Sequence, residues 1–190
     1  MILLWVRLFL HLTYISHIGH DKDFIWKARG FNSIEEHDTQ ILLNWNKIIS
    51  PEDTVYILGD LCMNGNEVEW DRIYKHLNGY KKFIHGNHDS NKKIEYYINR
   101  YNMEDIGKVF IYTYSKRKKF YLSHYPTLVS NFKDKKFFWN ISGHTHSTNT
   151  FEHGDYCVYN ISLDAHNNMP VSIEEIIQDI EKYLIKKKGG

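Results

Sequence analysis

The chain alternates short apolar runs with segments whose apolar residues recur at helical spacing. A first apolar run ends near Tyr14, and a second, TVYIL, leads directly into Gly59 and Asp60. Short apolar runs that stop at glycine or polar residues are typical of buried strands. We therefore predict a strand at each place, and the second strand ends in a carboxylate.

Helices are predicted where apolar residues recur every three or four positions. Two of them begin with the S-x-x-E pattern of a capping box, formed by Ser33 with Glu36 and by Ser172 with Glu175. Two more are predicted at 66–77 and 91–101. Strands and helices thus alternate through the first half of the chain, and a helix closes it.

After Gly107 the pattern changes to strand after strand, in the segments KVFIYTYS, KFYLSHYP, KKFFWNISGHTH and DYCVYNISLD. The first strands are connected by helices, and we predict that the later strands are antiparallel. This order favours an α/β fold with two packed mixed β-sheets flanked by helices. Since no repeat or Pro/Gly-rich linker divides the sequence, we expect one domain over residues 1–190.

Composition narrows the range of partners. The chain has 24 Lys and Arg against 23 Asp and Glu, a formal net charge of +1, which does not favour nucleic acid as a partner. Two cysteines, Cys62 and Cys157, are too few for a disulfide framework. They indicate thiols in a reducing compartment, and we expect a cytoplasmic protein.

The N-terminal run MILLWVRLFLHLTYIS is interpreted as a buried strand with an apolar leader. Arg7 and His11 interrupt it, and it is shorter than the roughly 20 apolar residues that cross a bilayer. It also lacks the basic start and small-residue cleavage site of a secretory signal. We expect no membrane association, with a degenerate export signal as the alternative.

Polar clusters follow the predicted strands in one repeated form. They are HIGH (17–20), GD (59–60), GNHD (86–89), SHYP (123–126) and GHTH (143–146). Loops at the carboxyl ends of neighbouring strands converge in layered α/β folds. Imidazole, carboxylate and amide groups together suit Mn, Fe or Zn better than Ca²⁺. If two ions bind, Asp60 is the natural bridging ligand.

The order and spacing of GD, GNHD, a lone His124 and GHTH resemble those of the calcineurin-like metallophosphoesterases. The resemblance runs from about His17 to the closing helix. It implies an αββα sandwich that hydrolyses a small phosphoester with two divalent metal ions, Mn²⁺ foremost and Fe, Zn, Ni or Mg as alternatives. A hydroxide formed from water between the ions would attack phosphorus. Phosphatase and phosphodiesterase activity, and the oligomeric state, are left open.

The resemblance also implies a role for each site residue. One ion would be held by Asp60, Asn87, His124 and His144. The other would be held by His17, Asp60 and His146. Proton transfer to the leaving group would fall to His88, with Asp89 orienting its imidazole.

One expected ligand is missing from this sequence. The family's first motif is Asp-x-His, and the position two before His17 is Ile15. Two hypotheses follow: an active enzyme whose second ion is held without this aspartate, or an impaired member that acts as a phosphate-binding or interaction module with at most one metal ion. His20 is left open between a substrate contact and a structural role. Packing or surface positions are expected for His11, His37, His76, His85, His153 and His166.

Overall fold

The computed structural model describes residues 9–13, 18–19, 22–63, 66–127, 138–152 and 157–189, apart from the side chain of residue 188. The predictions for the apolar leader before Phe9, and for His17, His20 and His153, lie outside the described residues.

The first sheet has five strands in the order β10-β1-β2-β3-β4. Its strands are β1 (Leu10–Thr13), β2 (Thr54–Leu58), β3 (Tyr80–Ile84), β4 (Glu104–Gly107) and β10 (Val171–Ser172). The first four run parallel, and β10 is antiparallel to β1. Strand β4 was not predicted, because its sequence EDIG carries almost no apolar signal.

The second sheet has five strands in the order β5-β6-β7-β9-β8. Its strands are β5 (Val109–Ser115), β6 (Lys118–Ser123), β7 (Phe138–Ser142), β8 (Phe151–Glu152) and β9 (Val158–Asn160). Two mixed sheets flanked by helices are thus confirmed. The prediction that the later strands are antiparallel is wrong for β6, β7 and β9, which run parallel. The stretches 124–137 and 143–157 between them are long enough for the crossovers that parallel strands need.

The helices are α1 (Asp23–Trp26), α2 (Ile34–Ile48), α3 (Glu67–Tyr74), α4 (Asn91–Tyr101) and α5 (Ile173–Gly189). Local capping explains where they begin. Ser33 accepts the Glu36 N–H at the start of α2, and Asn66 forms a complete capping box with Glu69 at the start of α3. In the part of the chain that the structure describes, no helix combines the length and apolar character needed to cross a membrane.

Strand β2 shows how the core is divided. Val55 and Ile57 belong to a cluster with residues of α2, α3 and α4, whereas Tyr56 and Leu58 belong to a cluster with α5 and the second sheet. Because successive side chains of a strand point to opposite faces, β2 is buried on both sides. The strand is therefore fixed in position, and so is the loop that leaves its carboxyl end.

Candidate metal centre

Three of the predicted ligands lie in strained backbone conformations. Asp60, His144 and His146 have φ values of 52°, 66° and 52°, in the left-handed region that side chains other than glycine rarely adopt. Each follows the end of a central strand, β2 or β7. Such conformations persist only where the surroundings enforce them, and they concentrate at functional sites.

Four predicted ligands from four separate segments meet around one nitrogen atom. The His124 Nε2 atom lies 2.7 Å from Asn87 Oδ1, 3.0 Å from His144 Nδ1 and 3.4 Å from Asp60 Oδ2. Ligand atoms of Asp60, His124 and His144 all lie within 4.8 Å of one another. The loops that follow β2, β3, β6 and β7 therefore converge, as the strand-end pattern predicted.

The protonation of His124 makes this cluster fit a cation. Its Nδ1 atom lies 3.0 Å from the Leu58 carbonyl oxygen, which can only accept a hydrogen bond. Nδ1 therefore carries the hydrogen, and Nε2 turns its lone pair toward the Asn87 and Asp60 oxygens. These facing lone pairs are a suitable donor set for a divalent metal ion.

Burial keeps both central imidazoles neutral. It lowers the pKa of His124, against an opposing effect from the Asp60 carboxylate. Burial likewise lowers the pKa of His144, and the nearby His146 and His88 lower it further, again against Asp60. A neutral imidazole is the form that binds a metal ion, so the cluster is ready to bind at neutral pH.

Two glycines allow the β2 and β3 loops to touch. A Cβ atom on Gly59 would lie 2.5 Å from His124 Nδ1, and one on Gly86 would lie 2.6 Å from the Asp60 nitrogen. In the same contact, the His88 N–H donates to Asp60 Oδ1 at 2.8 Å. One oxygen of Asp60 is thus held by the neighbouring loop, while the other faces His124.

Asp89 joins the loops that leave β2 and β3. Its buried carboxylate accepts the backbone N–H groups of Asp60 (2.7 Å), Gly86 (2.8 Å) and Leu61 (3.3 Å). Burial raises the pKa of Asp89, and the N–H groups of Gly86 and Asp60 oppose this shift. Both carboxylate oxygens thus hold the two loops together. The orientation of the His88 imidazole by Asp89 stays a prediction.

Two further side chains line the cluster on its solvent side. His88 is exposed. Tyr125 packs edge-on against two predicted ligands, with its ring centroid 4.8 Å from that of His124 and 4.6 Å from that of His144. Tyr125 was not singled out in the sequence, because nothing marks it apart from its place after His124.

His146 is linked by hydrogen bonds to residues that lie outside the sequence motifs. Its Nδ1 atom lies 3.0 Å from Asp164 Oδ2, and Asp164 is held by two hydrogen bonds from Arg29, of 2.9 and 3.0 Å. Burial would raise the pKa of Asp164, but hydrogen bonds from His146 and Arg29 hold it well below its usual range. A signal was present, since Asp164 follows the NISL run just as Asp60 follows TVYIL.

Comparison with known proteins identifies a family. A family model described as calcineurin-like phosphoesterase matches residues 11–189. An uncharacterized protein of Methanocaldococcus jannaschii, MJ1445, is 29% identical over 180 residues, which cover 91% of this chain and 92% of that protein. The gene 66 protein of Mycobacterium phage D29 is 36% identical over 78 residues, 38% of this chain and 36% of that protein.

A solved structure shares the fold. The crystal structure of AQ665 from Aquifex aeolicus, a protein of unknown function, superposes with a TM-score of 0.66 at 25% identity. The match covers 90% of this chain and 99% of that one.

Proposed function

The chain belongs to the calcineurin-like phosphoesterase family, and on that premise we propose that it is a metal-dependent hydrolase of small phosphoesters. The observation that carries the proposal is the convergence of Asp60, Asn87 and His144 on the Nε2 atom of His124. This donor set is built from four loops, and three of its members have ligand atoms close enough to one another to hold a single ion.

Two divalent ions, Mn²⁺ foremost, are proposed to bind here. The donor set around His124 would hold the first ion. Asp60 would be shared with the second, together with His146 and His17. When bound, the ions supply Lewis-acid activation of water and of the phosphoryl oxygens. Both cysteines are thiols, which supports a cytoplasmic location for such an enzyme.

The chain's own residues orient the reaction. His88 is exposed beside the cluster, and its backbone N–H holds Asp60 Oδ1. We assign its imidazole the transfer of a proton to the leaving oxygen. The hydrogen bond to Asp60 Oδ1 fixes the backbone of the proposed proton donor relative to Asp60.

Turnover after reconstitution tests the proposal. The protein loaded with Mn²⁺ should hydrolyse p-nitrophenyl phosphate or bis(p-nitrophenyl) phosphate, and Asp60→Asn should abolish this activity. Asp23→Asn is the matched control, because Asp23 is an exposed carboxylate that pairs with Lys27 one helical turn away. A wild-type protein that binds Mn²⁺ but hydrolyses neither substrate would overturn the proposal.

A second candidate function is favoured by the absent aspartate of the first motif. With Ile15 two positions before His17, the second ion would lose one anionic ligand. The chain would then act as a phosphate-binding or interaction module with a single ion. This alternative predicts phosphate binding without turnover, and activity once Asp-Thr is inserted after Ser16. If the insertion creates no activity, the missing acid is not what limits catalysis.

A further inference from the structure

A partly buried chain of hydrogen bonds begins at His146 and extends away from the candidate metal cluster. The Asp164 carboxylate can only accept, so His146 Nδ1 donates its hydrogen to Asp164 Oδ2 at 3.0 Å. The His146 lone pair is then on Nε2. A carboxylate behind a histidine is the usual way to select the ring nitrogen that binds a metal ion.

Arg29 fixes Asp164 from the other side. Its Nε and second terminal nitrogen donate to the two carboxylate oxygens at 2.9 and 3.0 Å. The Arg29 side chain is 2% exposed and that of Asp164 is 13% exposed, so the pair is shielded from water. Arg29 and Asp164 are 135 positions apart in the chain, and this contact joins the start of the molecule to the loop after β9.

The chain continues through His37 to the N-terminal loop. Arg29 donates to His37 Nε2 at 2.9 Å, and a guanidinium has no lone pair, so His37 Nε2 must accept. The His37 Nδ1 atom carries a hydrogen and donates it to Asp38 Oδ1 at 2.8 Å. The other Asp38 oxygen accepts the Gly19 N–H at 3.0 Å.

We infer that this Arg29 network, formed by Gly19, Asp38, His37, Arg29, Asp164 and His146, positions the second ion's ligands. One end holds His146, and the other holds the backbone two residues beyond His17. The inference rests on the proposed function, which assigns these two histidines to one ion. The network contains two carboxylates, Asp38 and Asp164, against one guanidinium, and this excess of acidic groups favours a cation at a site that lacks an aspartate ligand.

The test is the binding of Mn²⁺ to the Asp164→Asn variant. Calorimetry measures the affinity of each ion, and the EPR spectrum distinguishes a coupled Mn pair from an isolated ion. The amide can donate to His146 Nδ1 and so move its lone pair away from the ion. We expect the first ion to be retained and the second to bind about 10–100-fold more weakly. The coupled-pair spectrum should be lost with it.

A matched control is Asp71→Asn. Asp71 is also bonded by an arginine, with Arg100 nitrogens 2.8 and 3.3 Å from its oxygens, but it lies in α3. This variant should bind both ions like the wild type. Asp38→Asn tests the far end of the network and should also weaken the binding of the second ion. It also keeps the inference testable if Asp164→Asn does not fold.

The outcomes separate this inference from the proposed function. If Asp164→Asn and Asp38→Asn both bind two ions with wild-type affinity, the positioning role is wrong while hydrolysis stands. If the wild type itself binds only one ion, the inference is also wrong, and turnover alone decides hydrolysis. Two ions in the wild type, one in Asp164→Asn and no turnover in either would support the network and overturn the hydrolase.

Discussion

The Asp89 carboxylate holds the backbone of Asp60, with Oδ2 2.7 Å from the Asp60 nitrogen. The same oxygen accepts the Gly86 N–H at 2.8 Å, so one atom joins the loops that leave β2 and β3. Asp60 in turn holds the His88 N–H. The last residue of the GNHD motif therefore positions the backbone of Asp60, a predicted metal ligand.

Replacing Asp89 tests the connection that its carboxylate makes between the two loops. In Asp89→Asn an amide nitrogen would face a backbone N–H, so at least one buried donor would lose its acceptor. We expect the free energy of unfolding to fall by about 1–3 kcal/mol, with weaker Mn²⁺ binding. Urea denaturation measures the first effect. Asp105→Asn is the control, since Asp105 also accepts a backbone N–H, from Gly107, but is exposed. If the stability of Asp89→Asn is unchanged and the pH profile of its turnover is altered, the main role of Asp89 is instead to orient the His88 imidazole.

Gly86→Ala should disrupt the metal site. The added methyl would lie 2.6 Å from the Asp60 nitrogen, a distance at which the β2 loop must shift. We expect Mn²⁺ binding to fall at least as strongly as in Asp60→Asn, while the far-ultraviolet circular dichroism is retained. Gly189→Ala is the control, because a methyl added there would meet no neighbour within 4 Å among the described residues. Wild-type Mn²⁺ affinity in Gly86→Ala would contradict the close packing of the two loops.

The Cys62 thiol should be unreactive in the folded protein. It is fully buried, and burial raises its pKa to about 12, while hydrogen bonds with Tyr97 and Tyr74 lower it. Since thiolate is the nucleophile, we expect Cys157→Ser, which retains only Cys62, to react with Ellman's reagent at pH 8 no faster than it unfolds. Cys62→Ser retains the half-buried Cys157 as the comparison. Immediate reaction of Cys62 in the native protein would show that the loop after Asp60 opens readily.

His166 should make the fold sensitive to acid. Burial lowers its pKa, although the hydrogen bond between Nε2 and the Asn160 oxygen opposes this. Below the ordinary histidine pKa of about 6.5, the unfolded chain takes up a proton that the folded chain does not. The free energy of unfolding should therefore fall as the pH drops from about 6.5 to 5, and His166 should have no effect above that range.

The variant that checks this is His166→Gln, measured by urea denaturation at several pH values. Its stability should depend less on pH between about 5 and 6.5 than that of the wild type. The exposed His76 supplies the control, and His76→Gln should follow the wild-type curve. Parallel curves for His166→Gln and the wild type would assign the acid sensitivity to other groups.

The sequence alone determined the features that arise from neighbouring residues. Helix α4 has the predicted bounds, and α2 and α5 begin at their predicted caps, because capping and helical spacing involve residues within a few positions of one another. The polar ends of β2, β3, β6 and β7 were likewise evident, since each follows an apolar run. The resemblance named Asp60, Asn87, His124 and His144 from these short motifs.

Only the tertiary structure decided how distant residues meet. The parallel order of β6, β7 and β9 depends on crossovers that leave no periodic signal. The acceptor role of Asp89 depends on backbone N–H groups, which every residue but proline carries and no sequence pattern marks. Arg29, His37 and Asp164 become a network only when the chain brings the turn after β9 beside residues 29–37. Folding brings these residues into contact, and no local sequence pattern links them.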